Sequence, residues 1–176
     1  PNPGDLAVDG TSVYWTSYAI SSTIVGSVLM KTSVEGGTPT ALVPAGGSVI
    51  SGIAVDGTSL YWGADTLGAF ATGGVSTIPV GGGTPAMLAS GWGLLGIAVD
   101  ATNVYWVDGG HSYPASPPIL SEVMMVPIGG GSPTTIVTGE PRGPGEQLAI
   151  YEIAVDATAV YWMEPSADGT TGALRK

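Results

Sequence analysis

Cysteine is absent from the 176 residues, and histidine and phenylalanine occur once each. Without Cys there is no disulfide, no thiolate nucleophile and no thiolate metal ligand, while the compartment stays open. With His111 as the lone imidazole, zinc sites built on several histidines are excluded. A histidine-based nucleophilic triad has only that candidate, and it lacks a G-x-S-x-G context. Bases are nearly missing too: Lys31, Arg142, Arg175 and Lys176 stand against fourteen Asp and Glu, for a net charge of −10. Neutralising phosphates needs clustered Lys and Arg, so nucleic acid and anionic membrane surfaces are excluded as partners. Between Asp65 and Asp100 lie 34 uncharged residues, but Gly73, Gly74, Pro79, Gly81 to Gly83 and Pro85 cut them into strand-sized pieces. No membrane span is expected there. The chain has no basic-then-apolar leader and opens at Pro1 without Met, which predicts processing or excision from something longer.

What is plentiful is glycine and proline, 29 and 14 residues, with 44% hydrophobic content and only 10% charged residues. That supplies a core and argues against disorder. The punctuation favours many tight turns and leaves little room for helices. It also frames a repeat. LAVDGTSVYW (Leu6 to Trp15) recurs as IAVDGTSLYW from Ile53, IAVDATNVYW from Ile97 and IAVDATAVYW from Ile153, at spacings of 47, 44 and 56 residues. Self-similarity at this period marks a propeller or solenoid.

Each unit parses into four short strands. In the second they are Ile53 to Asp56, Ser59 to Trp62, Val75 to Val80 and Ala86 to Ala89. Alternation puts Ile53 and Val55 on one face and Ala54 on the other, with Leu60 and Trp62 opposite Tyr61. Both faces are apolar, as a sheet sandwiched between neighbouring sheets requires. Trp15, Trp62, Trp106 and Trp162 are therefore assigned to an inter-blade core. Asp9, Asp56, Asp100 and Asp156 are assigned to Asx-type turns between the first two strands, in preference to a metal or catalytic role. Gly-Gly-Thr/Ser-Pro at residues 36–39, 82–85 and 130–133 predicts a tight hairpin between the third and fourth strands.

GIAVDGTSLYWGAD, Gly52 to Asp65, resembles the repeat of YWTD-type β-propellers of the low-density-lipoprotein-receptor class, and the GGGTP hairpin is closer to bacterial secreted or surface-associated repeats of that kind. The resemblance implies an all-β propeller, extracytoplasmic in a bacterium. After Tyr-Trp this chain reads Thr-Ser, Gly-Ala, Val-Asp and Met-Glu, never Thr-Asp, so the family's bonding through that Asp and its six blades do not carry over residue by residue.

The expected architecture is one propeller segment with blades over about 6–45, 53–90, 97–139 and 153–176, the last incomplete. So few blades cannot close a ring, and the outer faces of the first and last would meet water. Two partners answer this: the remaining blades of a longer propeller, or a second copy of the chain. Length variation falls on one rim, where binding chemistry is usually placed. There the third unit carries VDGGHSYPASPP (107–118) and TGEPRGPGEQLAIYE (138–152). They offer His111, Tyr113, Arg142 and Glu146, with Glu140 and Glu152, while Trp92 stands outside the repeat pattern in another loop of that rim. Aromatic rings, a guanidinium and carboxylates suit a carbohydrate or peptide ligand. The expected function is a non-catalytic binding or scaffold module without cofactor or metal. The alternatives are a lyase or hydrolase with its site on the same rim, and a purely structural component whose open faces dock an assembly.

Overall fold

The computed structural model describes residues 2–20, 25–66, 73–91, 93–109, 121–139, 150, 152–165 and 172–176. Among them are fifteen strands and no helix, and hence no helix long and apolar enough to cross a membrane. Sheet I is β1 (Asn2–Val8), β2 (Ser12–Ile20), β3 (Val25–Ser33) and β4 (Thr40–Val43), paired in that order. Sheet II is β5 (Ser48–Val55), β6 (Ser59–Thr66), β7 (Gly73–Pro79) and β8 (Ala86–Gly91). Sheet III is β9 (Leu94–Val99), β10 (Asn103–Asp108), β11 (Glu122–Pro127) and β12 (Thr134–Thr138). Sheet IV has three strands, β13 (Ile153–Val155), β14 (Val160–Pro165) and β15 (Gly172–Arg175).

All pairings are antiparallel. The first strands of sheets I to III run longer than the hydrophobic pattern predicts: β5 starts at Ser48 rather than Ile53, because pairing resumes beyond a bulge between Ile50 and Gly52. Bulges recur at matching places between the third and fourth strands, at Leu29/Met30, Val75/Ser76 and Val123/Met124. Each raises the local twist of its sheet, and the repetition gives the sheets a common shape. The Gly-Gly hairpins close by Gly36, Gly82 and Gly130 N–H donating to the carbonyls of Ser33, Pro79 and Pro127. Gly82 and Gly83 sit at φ of 93° and 140°, where a side chain would be strained.

The core lies between the sheets. Tyr14 and Leu29 of sheet I pack with Ile53, Leu60, Trp62 and Ile78 of sheet II. Tyr61, Val75 and Ala89 of sheet II pack with Leu94, Val104, Trp106 and Val126 of sheet III. Ala98, Tyr105, Val107 and Val123 of sheet III pack with Ile150 and Ile153, and half-buried Trp162 joins them. One rule covers all three: the tyrosine of Tyr-Trp turns to the following sheet and the tryptophan to the preceding one. Trp15 departs from its assignment to an inter-blade core. It is half-buried, because no sheet among the described residues precedes sheet I.

Candidate functional site

The four repeated aspartates form one arrangement each time. Oδ1 of Asp56 accepts the Thr58 N–H, the Thr58 hydroxyl and the Ser59 N–H, all at 2.8 Å, and its Oδ2 accepts the Tyr61 hydroxyl at 2.8 Å. Asp9 does the same with Thr11, Ser12 and Tyr14, Asp100 with Thr102, Asn103 and Tyr105, and Asp156 with Thr158, Ala159 and Tyr161. The Asp-x-Thr-x-x-Tyr spacing thus ties a turn to the ring that enters the next interface. Burial pushes Asp9 up, but the four bonds from Thr11, Tyr14 and Ser12 outweigh it and hold the carboxyl at about 2. Burial and the Asp9 carboxylate push the Tyr14 hydroxyl up to about 12. With their acceptor oxygens committed inside the turn, these carboxylates do the work of turn closure.

The rim opposite these turns carries the strand connections of variable length. His111, Tyr113, Arg142, Glu146, Glu140 and Trp92 lie outside the described residues. Glu152 is exposed at the start of sheet IV, where its carbonyl accepts the Met163 N–H at 3.1 Å. On the same rim Asp65 accepts the Gly93 and Leu94 N–H groups, both at 3.2 Å, and so pins sheet II to the entry of sheet III. Burial raises its pKa, and the charge of Asp108 adds to the shift.

Between sheets I and II the same rim opens into a cavity of about 420 Å³. Its wall is mostly apolar, with Trp62, Ile50 and Met87, and it presents hydroxyls from Ser48, Ser76 and Ser90. Among the described residues no titratable side chain lines it. The hollow is written in the residues beside the repeat tryptophan. In sheet II Trp62 pairs with Ser76, and Ala64 with Gly74; in sheet III Trp106 pairs with Met124, and Asp108 with Glu122. Small side chains at three of these places leave open in the first interface what large ones occupy in the second. Gly74 cannot be enlarged, since a Cβ there would stand 2.5 Å from the Ala89 carbonyl oxygen and 2.9 Å from Met87 Sδ. The sequence carries this signal as a contrast between units, which becomes legible only once the units are in register.

No family model and no curated protein matches the chain. Solved structures do. A protein described as TolB from Agrobacterium tumefaciens matches with a TM-score of 0.57 at 15% identity, over 98% of this chain and 57% of that one. An acylaminoacyl peptidase gives 0.60 at 11%, over 99% and 31%, and TolB from Acinetobacter baumannii gives 0.53 at 14%, over 98% and 44%. The fold is that of a β-propeller segment. Sheets I to III are its four-stranded blades and sheet IV a three-stranded one. At these identities the likeness concerns fold alone. The chain spans between about a third and somewhat over half the length of these structures.

Proposed function

We propose that this chain is a non-catalytic binding module built on YWTD-like propeller repeats, and that its variable rim takes an uncharged peptide segment in the cavity between the first two blades. The observation that carries this is the cavity itself: about 420 Å³, within the range of ligand pockets, opening on the rim where loop length varies, and lined by no acid or base among the described residues. The described wall supplies no general acid, base or charged nucleophile, which favours binding over a lyase or hydrolase at this place. Predominantly apolar walls with scattered hydroxyls suit an aliphatic or aromatic side chain flanked by backbone amides. A carbohydrate would ask for carboxylate, amide or guanidinium partners. On the same rim, the sequence positions of His111, Tyr113, Arg142, Glu146 and Trp92 supply further recognition groups for the flanks of such a ligand. An extracytoplasmic place in a bacterium fits the Lys-poor composition and the likeness to TolB structures from two bacteria.

The test is selection of a displayed library of random peptides on the chain, with a neutral glycan array as the second arm. Ser76→Met copies the third blade's Met124 and fills the cavity while leaving a residue the fold already accepts. Selected peptides should carry an uncharged apolar centre and lose about tenfold or more in affinity for Ser76→Met, the scale of one anchor residue. Peptides that bind the variant equally, or binding confined to glycans, would overturn the proposal.

A further inference from the structure

Methionine changes strand in the second blade. In the first and third blades it stands on the third strand, where Met30 pairs with Ala41 and Met124 with Thr135, and both methionines are half-buried. In the second blade the same cross-strand pair is reversed, with Ser76 on the third strand and Met87 on the fourth. Met87 is 68% exposed there, more than any other methionine among the described residues, and Met163 follows at 44%. Its side chain nonetheless has a fixed place. It lines the cavity between the first two blades, with its Sδ over the bare backbone of Gly74, 2.9 Å from where a Cβ would stand.

An exposed thioether takes an oxygen atom from a peroxide. The sulfur attacks one oxygen of hydrogen peroxide, and the S–O bond forms as the O–O bond breaks. The proton of the attacked oxygen passes to the departing hydroxide, which leaves as water, so the sulfur is oxidised by two electrons and the peroxide reduced by two. The product is a neutral sulfoxide whose oxygen accepts hydrogen bonds far better than a thioether sulfur does. Donors for it stand in the same cavity. Ser76 is the direct cross-strand partner of Met87, and Ser90 is that of Gly74. The third blade already shows the contact in weaker form, since across its equivalent pair Thr135 Oγ1 donates to Met124 Sδ at 3.2 Å.

We propose that Met87 is a site of reversible oxidation by peroxide, and that its sulfoxide, held by the Ser76 hydroxyl, closes the cavity to an apolar ligand. The effect on binding rests on the reading of this cavity as a peptide site, whereas the oxidation does not. Selectivity comes from exposure: Met30, Met124 and Met125 are half-buried, and the Met124 sulfur is already engaged by Thr135. The switch works by exchanging a soft apolar wall for a polar oxygen, which an aliphatic or aromatic side chain cannot satisfy. A methionine sulfoxide reductase reverses it, drawing two electrons from a dithiol and releasing the oxygen as water.

Limiting hydrogen peroxide on the whole chain, followed by peptide mapping in the mass spectrometer, tests the chemistry. Met163→Leu is carried throughout, so that Met87 is the one strongly exposed methionine. Met87 should gain oxygen at least about threefold faster than Met30, Met124 or Met125, as exposure dictates. Peptides selected on the unoxidised chain should then lose about tenfold in affinity, the scale of one anchor residue, and regain it after treatment with the reductase. In Met87→Leu the affinity should be the same before and after peroxide. With Ser76→Ala, which removes the hydroxyl that holds the sulfoxide, oxidation should cost clearly less affinity. Equal oxidation rates at all the methionines would overturn the proposal. So would full affinity with Met87 oxidised, or a peroxide-dependent loss that persists in Met87→Leu. If no peptide is selected at all, the peptide reading falls and takes the affinity switch with it, while the order of oxidation still upholds or refutes Met87 as the site.

Discussion

Trp106 and Trp15 hold the same position in their repeats, with Val104 and Val13 beside them and an aspartate turn before them, yet they live in different surroundings. Trp106 is 1% exposed in the second interface, while Trp15 shares its face with Leu6 and Val8, which are 64% and 61% exposed. Burial here is conferred by the neighbouring sheet. The repeat supplies a blade whose two sides are ready for contact, and position in the stack decides which side is used. Truncating a fully buried tryptophan removes its transfer free energy and leaves a cavity, so Trp106→Ala should cost about 3–5 kcal/mol in chemical denaturation. Trp15→Ala should cost clearly less, about 1–2 kcal/mol in dilute solution, because the half-buried ring has less apolar area to lose. Equal losses would break the comparison. A Trp15 loss that grows with protein concentration would sharpen it, by linking that face to association.

The turns allow the same contrast on a smaller scale. Removing the Asp56 carboxylate orphans the N–H groups of Thr58 and Ser59 and the hydroxyl of Tyr61, whose ring is 2% exposed in the second interface. Asp56→Ala should therefore cost about 1–3 kcal/mol, chiefly from the Tyr61 hydroxyl left in the interface without its charged acceptor, since water can reach the Thr58 N–H. At Asp156 the same donors stand in water, which replaces the lost acceptor, so Asp156→Ala should lower the denaturation midpoint by clearly less. Asp56→Asn keeps an acceptor oxygen for Thr58 and Ser59 and should recover much of the loss. Matching midpoints for the two alanine variants would show that the turn works locally, without help from the interface behind it.

Much of this was legible before any coordinates. The period, the alternation across Ile53-Ala54-Val55 and the opposed faces of Tyr61 and Trp62 define sheets with two apolar sides, and those sheets stack as the pattern demands. The aspartate turns were visible as turns, but the tyrosine five residues on reads from sequence only as core. Its hydroxyl bond to the carboxylate needs the strand's actual path. The cavity was hidden for a different reason. Ala64, Gly74 and Ser76 are ordinary residues of a strand, and they become a hollow only when set opposite the first blade and compared with Asp108, Glu122 and Met124 in register. The loops around His111 and Arg142 drew attention through their length and composition, and their residues fall outside the described part of the chain.

Glycines separate crowded from open places more finely. A Cβ on Gly52 would stand 3.0 Å from the Leu95 carbonyl oxygen and 3.1 Å from Ile97 Cγ2, where the first strands of the second and third blades approach. Gly52→Ala should cost about 1–3 kcal/mol, as overpacking of a close contact does. Gly10 lies in the first blade's turn with nothing within 4 Å of a built Cβ, and the third and fourth units already carry Ala101 and Ala157 there. Gly10→Ala should be neutral or stabilise by up to about 1 kcal/mol through the unfolded chain. Thermal melts of the two variants compare the places directly, and a harmless Gly52→Ala would mean that the blades sit further apart than their strands indicate.

Acid should act on the inner and outer turns alike, because their carboxylates are bonded whether or not a blade follows. Bonds from Thr158 and Tyr161 outweigh burial and hold Asp156 at about 2, as those of Thr11, Tyr14 and Ser12 hold Asp9, both from an ordinary value of 3.8. A carboxyl whose pKa is lower folded than unfolded contributes stability above the unfolded value and loses it as pH falls toward the folded one. The loss should therefore fall between about pH 4 and pH 2, and for Asp9 it should stay below about 1 kcal/mol because solvent screens so exposed a group. The tyrosines set the other limit. Burial and the Asp56 carboxylate raise the Tyr61 hydroxyl to about 12, so its contribution is whole below pH 10 and fades as pH climbs from 10 toward 12. Tyr61→Phe removes the hydroxyl while leaving the Oδ1 bonds of Asp56 in place. Urea midpoints followed against pH should then show the variant keeping the acid decline and losing part of the alkaline one. A flat profile between pH 4 and pH 2 in the wild type would mean that the carboxylates are no better held in the folded turns than in the unfolded chain.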